Sequence, residues 1–369
     1  MYKKNIGISI YPEFSTLEKH IEYLKKASDY GYNQLFMSFL HLSKEEVKNN
    51  LSNFKKIIKQ AKKLKFYVCV DISTQTLDVL KENIYELKIF KNMDVDCLRI
   101  DTPLLPVQLS IITHKVGIDI QINASIDDSF AQNLLDFKPI KHKISACHNF
   151  YPQQLTGLSE EFFNRTSKKY YDMGIKVSAF VGSHHGIYGP QKTQVLELPT
   201  MEKHRNMSIS AQAKELWASG YITDILIGNE FATDEELKEL AEVTRDTIEF
   251  EVPKIDISNI EHKILFKDLH FRRGDASEYM IRSPLTRALN KGQIIEPRNN
   301  DKESLNFGDV VIVNKNDEHY QTELMIIIKD NTPNINKKFN YLFTINKEEL
   351  SLINKIEDST WFKFSPKNN

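Results

Sequence analysis

Four carboxylates stand out by where they fall. Glu13, Asp71, Asp101 and Glu230 each lie at or just past the end of a short β-rich run. Around them, at equivalent positions, come Tyr11, Arg99, Asn123, His148, Asn149, Tyr151, His184 and Asn229. Acids, amides and imidazoles gathered at one place suit a hydroxyl-rich ligand. Two carboxylates on a common cleft suit glycosidic bond cleavage, one as acid and one as nucleophile or base. Asp71 and Asp101 are the expected catalytic pair, with Glu13 and Glu230 in reserve. A metal-dependent isomerase or epimerase is the rival chemistry, since Asp, Glu and His also ligate divalent cations. His184-His185 keeps that reading open, although no HxH or HExxH spacing supports it. A non-catalytic carbohydrate sensor is a third possibility.

Positioning such residues requires a scaffold that ends many strands on one face. The runs 5–11, 32–39, 66–72, 97–101, 117–125, 143–150, 176–182 and 224–228 are β-rich, and helical periodicity fills the intervals. Eight strand–helix units within residues 1–247 match a (β/α)₈ barrel. A doubly wound sheet is the alternative, but its strands read as continuous apolar runs. These alternate: Ile6, Ile8 and Ile10 oppose Gly7, Ser9 and Tyr11, and Ile118, Ile120 and Ile122 oppose Asp119, Gln121 and Asn123. The apolar set is expected against the helices and the polar set in the lumen. In LRID (98–101), Arg99 and Asp101 then face the lumen. Ser43 and Asp234 are expected helix caps, and Gly31, Gly174 and Gly220 helix ends.

Beyond the eighth helix the composition changes. Residues 249–266 read as a linker plus a strand, 282–290 as a helix or turn, and 308–315 with 323–330 as a hairpin. Residues 248–369 are expected to form a small β-rich second domain. The irregular stretch 182–200 is long for a βα connection, as functional loops often are. LPTMEKHR (198–205) resembles a helix entrance capped by Thr200, with Lys203, His204 and Arg205 in its first turn, a setting for an anion. RSPLTR (282–287) supplies Arg282, Ser283 and Arg287 as a second clamp.

The 369 residues carry a net charge of −1, which gives no bulk reason to expect nucleic acid or an anionic membrane. Cys69, Cys97 and Cys147 sit singly in strand-like runs and read as reduced core residues. No apolar run approaches the length of a signal peptide or a membrane span. A cytoplasmic protein without cofactor or metal is the expectation; its oligomeric state is not legible.

Six motifs carry a resemblance over essentially the full chain: GISIYPE (7–13), LRIDT (98–102), QINAS (121–125), ACHNFYPQQLTGLS (146–159), LPTMEKHR (198–205) and IRSPLTR (281–287). The chain resembles the 6-phospho-N-acetylmuramidase family of glycosidases. The resemblance implies an N-terminal TIM barrel and a C-terminal cyclophilin-like β-barrel domain. It implies cytoplasmic cleavage of N-acetylmuramic acid 6-phosphate–N-acetylglucosamine during peptidoglycan recycling. Asn123, His148, Asn149 and Tyr151 would then hold the sugar, and Lys203, Arg205 and Arg282 its anionic groups. The family pattern places an aspartate after Ile-Gly at strand eight, where this chain has Asn229 and then Glu230. By the period-two rule, the shifted acid points to the other side of the strand.

Overall fold

The computed structural model describes residues 3–40, 43–100, 104–190, 197–298 and 302–367. The chain divides into two compact units, Met1–Val243 and Thr244–Asn369. Asp101 lies outside the described residues.

In the first unit, eight parallel strands close into a barrel in the order of the chain. They are β1 (Asn5–Ile10), β2 (Gln34–Ser38), β3 (Tyr67–Ile72), β4 (Cys97–Ile100), β5 (Asp119–Asn123), β6 (Ile144–Cys147), β7 (Lys176–Val181) and β8 (Ile222–Ile227). β1 pairs with β8 from Asn5↔Asp224 to Ile8↔Ile227, which seals the seam. The alternation read from the sequence sorts the side chains as expected. Ile6, Ile8 and Ile10 pack outward with Leu24, Ala27, Phe54, Ile57 and Ile58 in one large core. Each such buried aliphatic contributes about 1.5–3 kcal/mol.

Inside, Phe36, Cys69, Cys97, Cys147, Phe180 and Leu226 form a separate cluster. The three cysteines are free and buried. They are lumen-filling side chains, on the same faces of their strands as the polar residues above them. Gly7 is required by the β1–β2 pairing: a Cβ there would stand 2.5 Å from the Gln34 Cβ and 2.6 Å from the Gln34 carbonyl oxygen of β2.

Helix boundaries follow local chemistry. Ser43 caps Lys44–Lys63 in a capping box with Glu46. The last barrel helix, Asp234–Glu242, is capped by Thr233, with Glu236 completing the box. Asp234, the expected cap, is therefore its first helical residue, where an acidic side chain favours the helix dipole. Gly31, Gly174 and Gly220 have φ of +85°, +68° and +78° at the helix ends, as expected.

The second unit is β-rich. Its four-stranded antiparallel sheet runs Met280–Ser283, Leu324–Ile327, Asp309–Val313, Phe339–Thr344. The expected hairpin is present, with Val311 opposite Met325. Ile248–Val252 pairs in parallel with Trp361–Pro366. The strand expected to extend toward residue 266 is instead a helix, Asn259–Phe266, because Ser258 and Glu261 form a capping box.

Gly7→Ala forces backbone movement in the packed β1–β2 pairing and is expected to cost about 1–3 kcal/mol. Thermal denaturation of the variant checks this; an unchanged melting temperature would show that β1 and β2 have room to part.

Candidate active site

The polar groups at the C-terminal end of the barrel fall into three clusters. The first spans the lumen. Asp71 on β3 is in register with Arg99 on β4, so both side chains point inward side by side. Arg99 Nε lies 4.0 Å from Asp71 Oδ1, and both side chains are almost fully buried. An Arg99 Nη2 N–H donates to Asn149 Oδ1, beyond the end of β6. A buried guanidinium is tolerable because a carboxylate and an amide answer it.

The second cluster closes the β8–β1 seam. Glu230 is fully buried. Its Oε2 accepts from the Tyr11 amide at 2.8 Å, and its Oε1 lies 2.5 Å from His20 Nδ1. Burial pushes the Glu230 carboxyl up, against the pull of His20 and the Tyr11 amide. Asn229 turns the other way: Oδ1 accepts from the Ser183 amide, and Nδ2 donates to the carbonyls of Ser183 and Gly186. Period-two alternation thus directs Glu230 to the first helix, Leu17–Asp29, while Asn229 holds the loop after β7. Glu230, expected as a reserve catalytic acid, is a seam residue. Tyr11, expected on the substrate, is buried too, and its hydroxyl donates to the Gly228 carbonyl at 2.7 Å.

Glu13 is the third feature. It follows β1 by three residues, and its Oε2 is buried with no hydrogen-bond partner among the described residues. Burial raises its pKa to about 7; the charges of Glu230 and Glu46 add to this, while a backbone hydrogen bond and His20 oppose it. A carboxyl at that value stays protonated up to neutral pH, as a general acid requires. Burial holds the Tyr11 hydroxyl's pKa well above its ordinary value, and the charges of Glu230, Glu13 and Asp71 add to this.

Other expected contacts are engaged elsewhere. His148 is fully buried and faces the helix Glu160–Asp172, not the lumen. Its Nε2 is 2.9 Å from Ser167 Oγ and its Nδ1 is 3.3 Å from Ser125 Oγ. Burial, aided by the Arg99 charge, lowers its pKa to about 3, so it is a neutral scaffold residue. Asn123 Oδ1 accepts from the Ser125 amide and its side chain stays half-buried. Asn149 and Tyr151 are likewise half-buried. His184 Nε2 lies 3.6 Å from Glu197 Oε1.

The helix entrance expected at 198–205 is not formed. Thr200 Oγ1 accepts from the Phe180 amide instead of capping a helix, and only a short 3₁₀ turn, Glu202–His204, follows. Lys203 is held by Glu160 and Glu215, and His204 Nε2 by Glu215 at 2.9 Å. Arg205 pairs with Glu202 through Nε at 2.8 Å and Nη2 at 2.9 Å. Lys203 and Arg205 thus already face carboxylates of the chain itself. In the second unit, Arg282 Nε donates to the buried Glu323 at 2.7 Å, and Arg287 shares that carboxylate at 3.7 Å. Among the described residues no group of three or more His, Cys, Asp or Glu is arranged to hold a metal ion, and no helix is long and apolar enough to cross a membrane.

The sequence reading passed over His20, Ser125 and Glu202. His20 carried a signal, since it falls three residues after Leu17 and four before Leu24, on the buried stripe of its helix.

A closed parallel barrel with carboxyls at its C-terminal mouth is a TIM barrel carrying the type of group that glycosidic cleavage uses. Family comparison makes this specific. The N-terminal model of 6-phospho-N-acetylmuramidase matches residues 6–242 and the C-terminal model matches residues 248–365. The chain belongs to the 6-phospho-N-acetylmuramidase family. Among solved structures it is similar to an uncharacterized protein from B. cereus, at 33% identity and a TM-score of 0.88, over 98% of this chain and 99% of that one. It is also similar to a protein of unknown function from Enterococcus faecalis, at 25% identity and a TM-score of 0.71, over 99% and 97%. No curated protein matches it significantly.

The Glu202–Arg205 pair gives a pH test. The Arg205 hydrogen bond, against burial and with help from the Leu155 and Gly157 amides, lowers the Glu202 pKa from 4.5 to about 2. Its stabilisation is therefore present above 4.5 and is lost as pH falls toward about 2. Glu202→Gln should flatten that part of the acid branch in melting temperature against pH. An unaltered acid branch would remove Glu202 from the account.

Proposed function

We propose that this chain cleaves N-acetylmuramic acid 6-phosphate–N-acetylglucosamine, with Glu13 as the proton donor to the leaving sugar. The observation that carries the assignment is the place of Glu13, just past the end of β1 in a barrel of this family, half-buried and with its Oε2 buried and without a hydrogen-bond partner among the described residues. Glu13 thereby moves from reserve to first choice. Asp71, turned inward beside Arg99, is the carboxylate that faces developing positive charge, and Asp101 remains a candidate for the same role. Asn123, Asn149, Tyr151 and His184 are the polar side chains proposed to meet the sugar. A 2-acetamido sugar can supply its own nucleophile, leaving the enzyme one acid and one orienting carboxylate. Peptidoglycan recycling in the cytoplasm is the setting this substrate implies, and a cyclophilin-like second domain is the reading its family suggests.

Three results test this. Glu13→Gln should lower kcat about 10²- to 10⁴-fold while leaving the melting temperature intact. Wild-type kcat should fall as pH rises through about 7, because the donor loses its proton there. Near-normal turnover by Glu13→Gln would move the acid elsewhere. Mass spectrometry should show cleavage of the phosphorylated disaccharide, and not of its unphosphorylated form, with chelator present; loss of cleavage to chelator would instead favour a metal-dependent enzyme.

A further inference from the structure

The loop after β6 is built around an ion pair. Glu202 receives the Leu155 amide at Oε1, 2.9 Å, and the Gly157 amide at Oε2, 2.8 Å. Arg205, bonded to the same carboxylate, donates from Nη2 to the carbonyls of Tyr151 at 3.1 Å and Gln153 at 3.4 Å. Gly157 admits no side chain, since a Cβ would meet the Glu202 amide nitrogen at 2.6 Å. Two backbone donors and two backbone acceptors are thus fixed by one pair of side chains. At its start the same loop is tied into the lumen through Asn149 and Arg99.

What this brace holds up is Leu155. Its φ is +66°, a left-handed backbone that a leucine adopts only at a cost, and its side chain is 89% exposed. Such strain persists where the surroundings over-determine the backbone. A side chain this exposed gains little from the folded chain, so strain and exposure together call for a contact outside it. Three more branched aliphatics share the setting. Leu105 follows β4, Ile126 follows β5 and Ile187 follows β7, and all are largely exposed. Strands β4 to β7 are neighbours in the closed barrel, so these loops are adjacent on the C-terminal rim. Exposed apolar side chains on an arc of adjacent loops suit the C–H face of a pyranose, or the methyl of an acetamido or lactyl group.

We propose that Leu155 is a specificity-determining residue, held by the Glu202–Arg205 brace to pack against an apolar face of the bound amino sugar. This rests on the cleavage proposed above. The contact is made equally in ground and transition states, so it acts on KM more than on kcat.

The test compares wild type, Leu155→Gly and Leu155→Met on N-acetylmuramic acid 6-phosphate–N-acetylglucosamine, with melting temperature and light scattering alongside. Leu155→Gly should raise KM about tenfold, leave kcat within about twofold, and not lower the melting temperature, because it also relieves the strained backbone. Leu155→Met should restore KM to within about threefold of wild type. A wild-type KM in Leu155→Gly, with wild-type turnover present, overturns this inference and leaves the proposed reaction standing. A change of oligomeric state with KM unmoved overturns it too, since the arc would then cover a second copy of the chain. A joint fall in kcat and melting temperature that methionine does not rescue reduces Leu155 to a structural residue. No turnover by wild type takes the proposed reaction down first, and this inference with it.

Discussion

A charged side chain taken out of water must be answered by another, and the first unit is arranged around that requirement. A closed eight-stranded barrel turns half of every strand into a narrow interior. Midway along this lumen the need does not arise, because Phe36, Phe180, Leu226 and three cysteines fill it; toward the N-terminal end Asn5 answers Asp224 and Tyr67 answers Asp119. At the C-terminal end it does arise, and the answers come from other strands. Arg99 has Asp71 and Asn149; Glu230 has His20 and the Tyr11 amide. Removing one partner from such a set is costly, on the order of 3–5 kcal/mol for a buried ion pair, because the survivor is left buried and uncompensated. These contacts therefore fix the relative positions of β1, β3, β4 and β8 where chemistry is done.

Glu13 is distinguished by being left out of that pairing. It is close enough to feel Glu230, Glu46 and His20, yet its Oε2 takes no hydrogen bond among the described residues. A carboxyl bonded as Glu230 is would have its proton affinity set by its partners. Glu13, with one carboxyl oxygen buried and unbonded, keeps its proton to higher pH, and desolvation is the leading cause. The seam thus does two things at once: it closes the barrel, and it places a negative group where it adds to that effect.

The architecture was legible in the sequence because period-two alternation is a direct physical requirement of a strand with unlike faces, and strands such as β1 and β5 show it. The change from helical periodicity to β-rich runs, expected at 247/248, falls a few residues after the division between Val243 and Thr244. The division of labour among polar residues was not. His148 and Asn149 are adjacent in sequence, but one faces Ser167, nineteen residues on, and the other Arg99, fifty residues back. Tyr11 looked like a mouth residue until its hydroxyl was seen to meet the Gly228 carbonyl. A sequence shows that a side chain lies inward or outward; it does not show which distant group has already taken its hydrogen bond.

Lys203 and Arg205 make the same point more sharply. Two cations beside a turn are equally suited to a ligand's phosphate and to the chain's own carboxylates, so residue type cannot choose between them. Geometry chooses. Glu160 and Glu215 take Lys203, and Glu202 takes Arg205 with two backbone carbonyls besides. The charge is used to make a loop rigid. Rigidity has value for recognition, because a side chain that is already held in place loses little freedom when a ligand arrives. A guanidinium that braces the loop from beneath can serve an anionic sugar without touching its anionic group, by fixing the apolar surface on which the rest of the sugar lies.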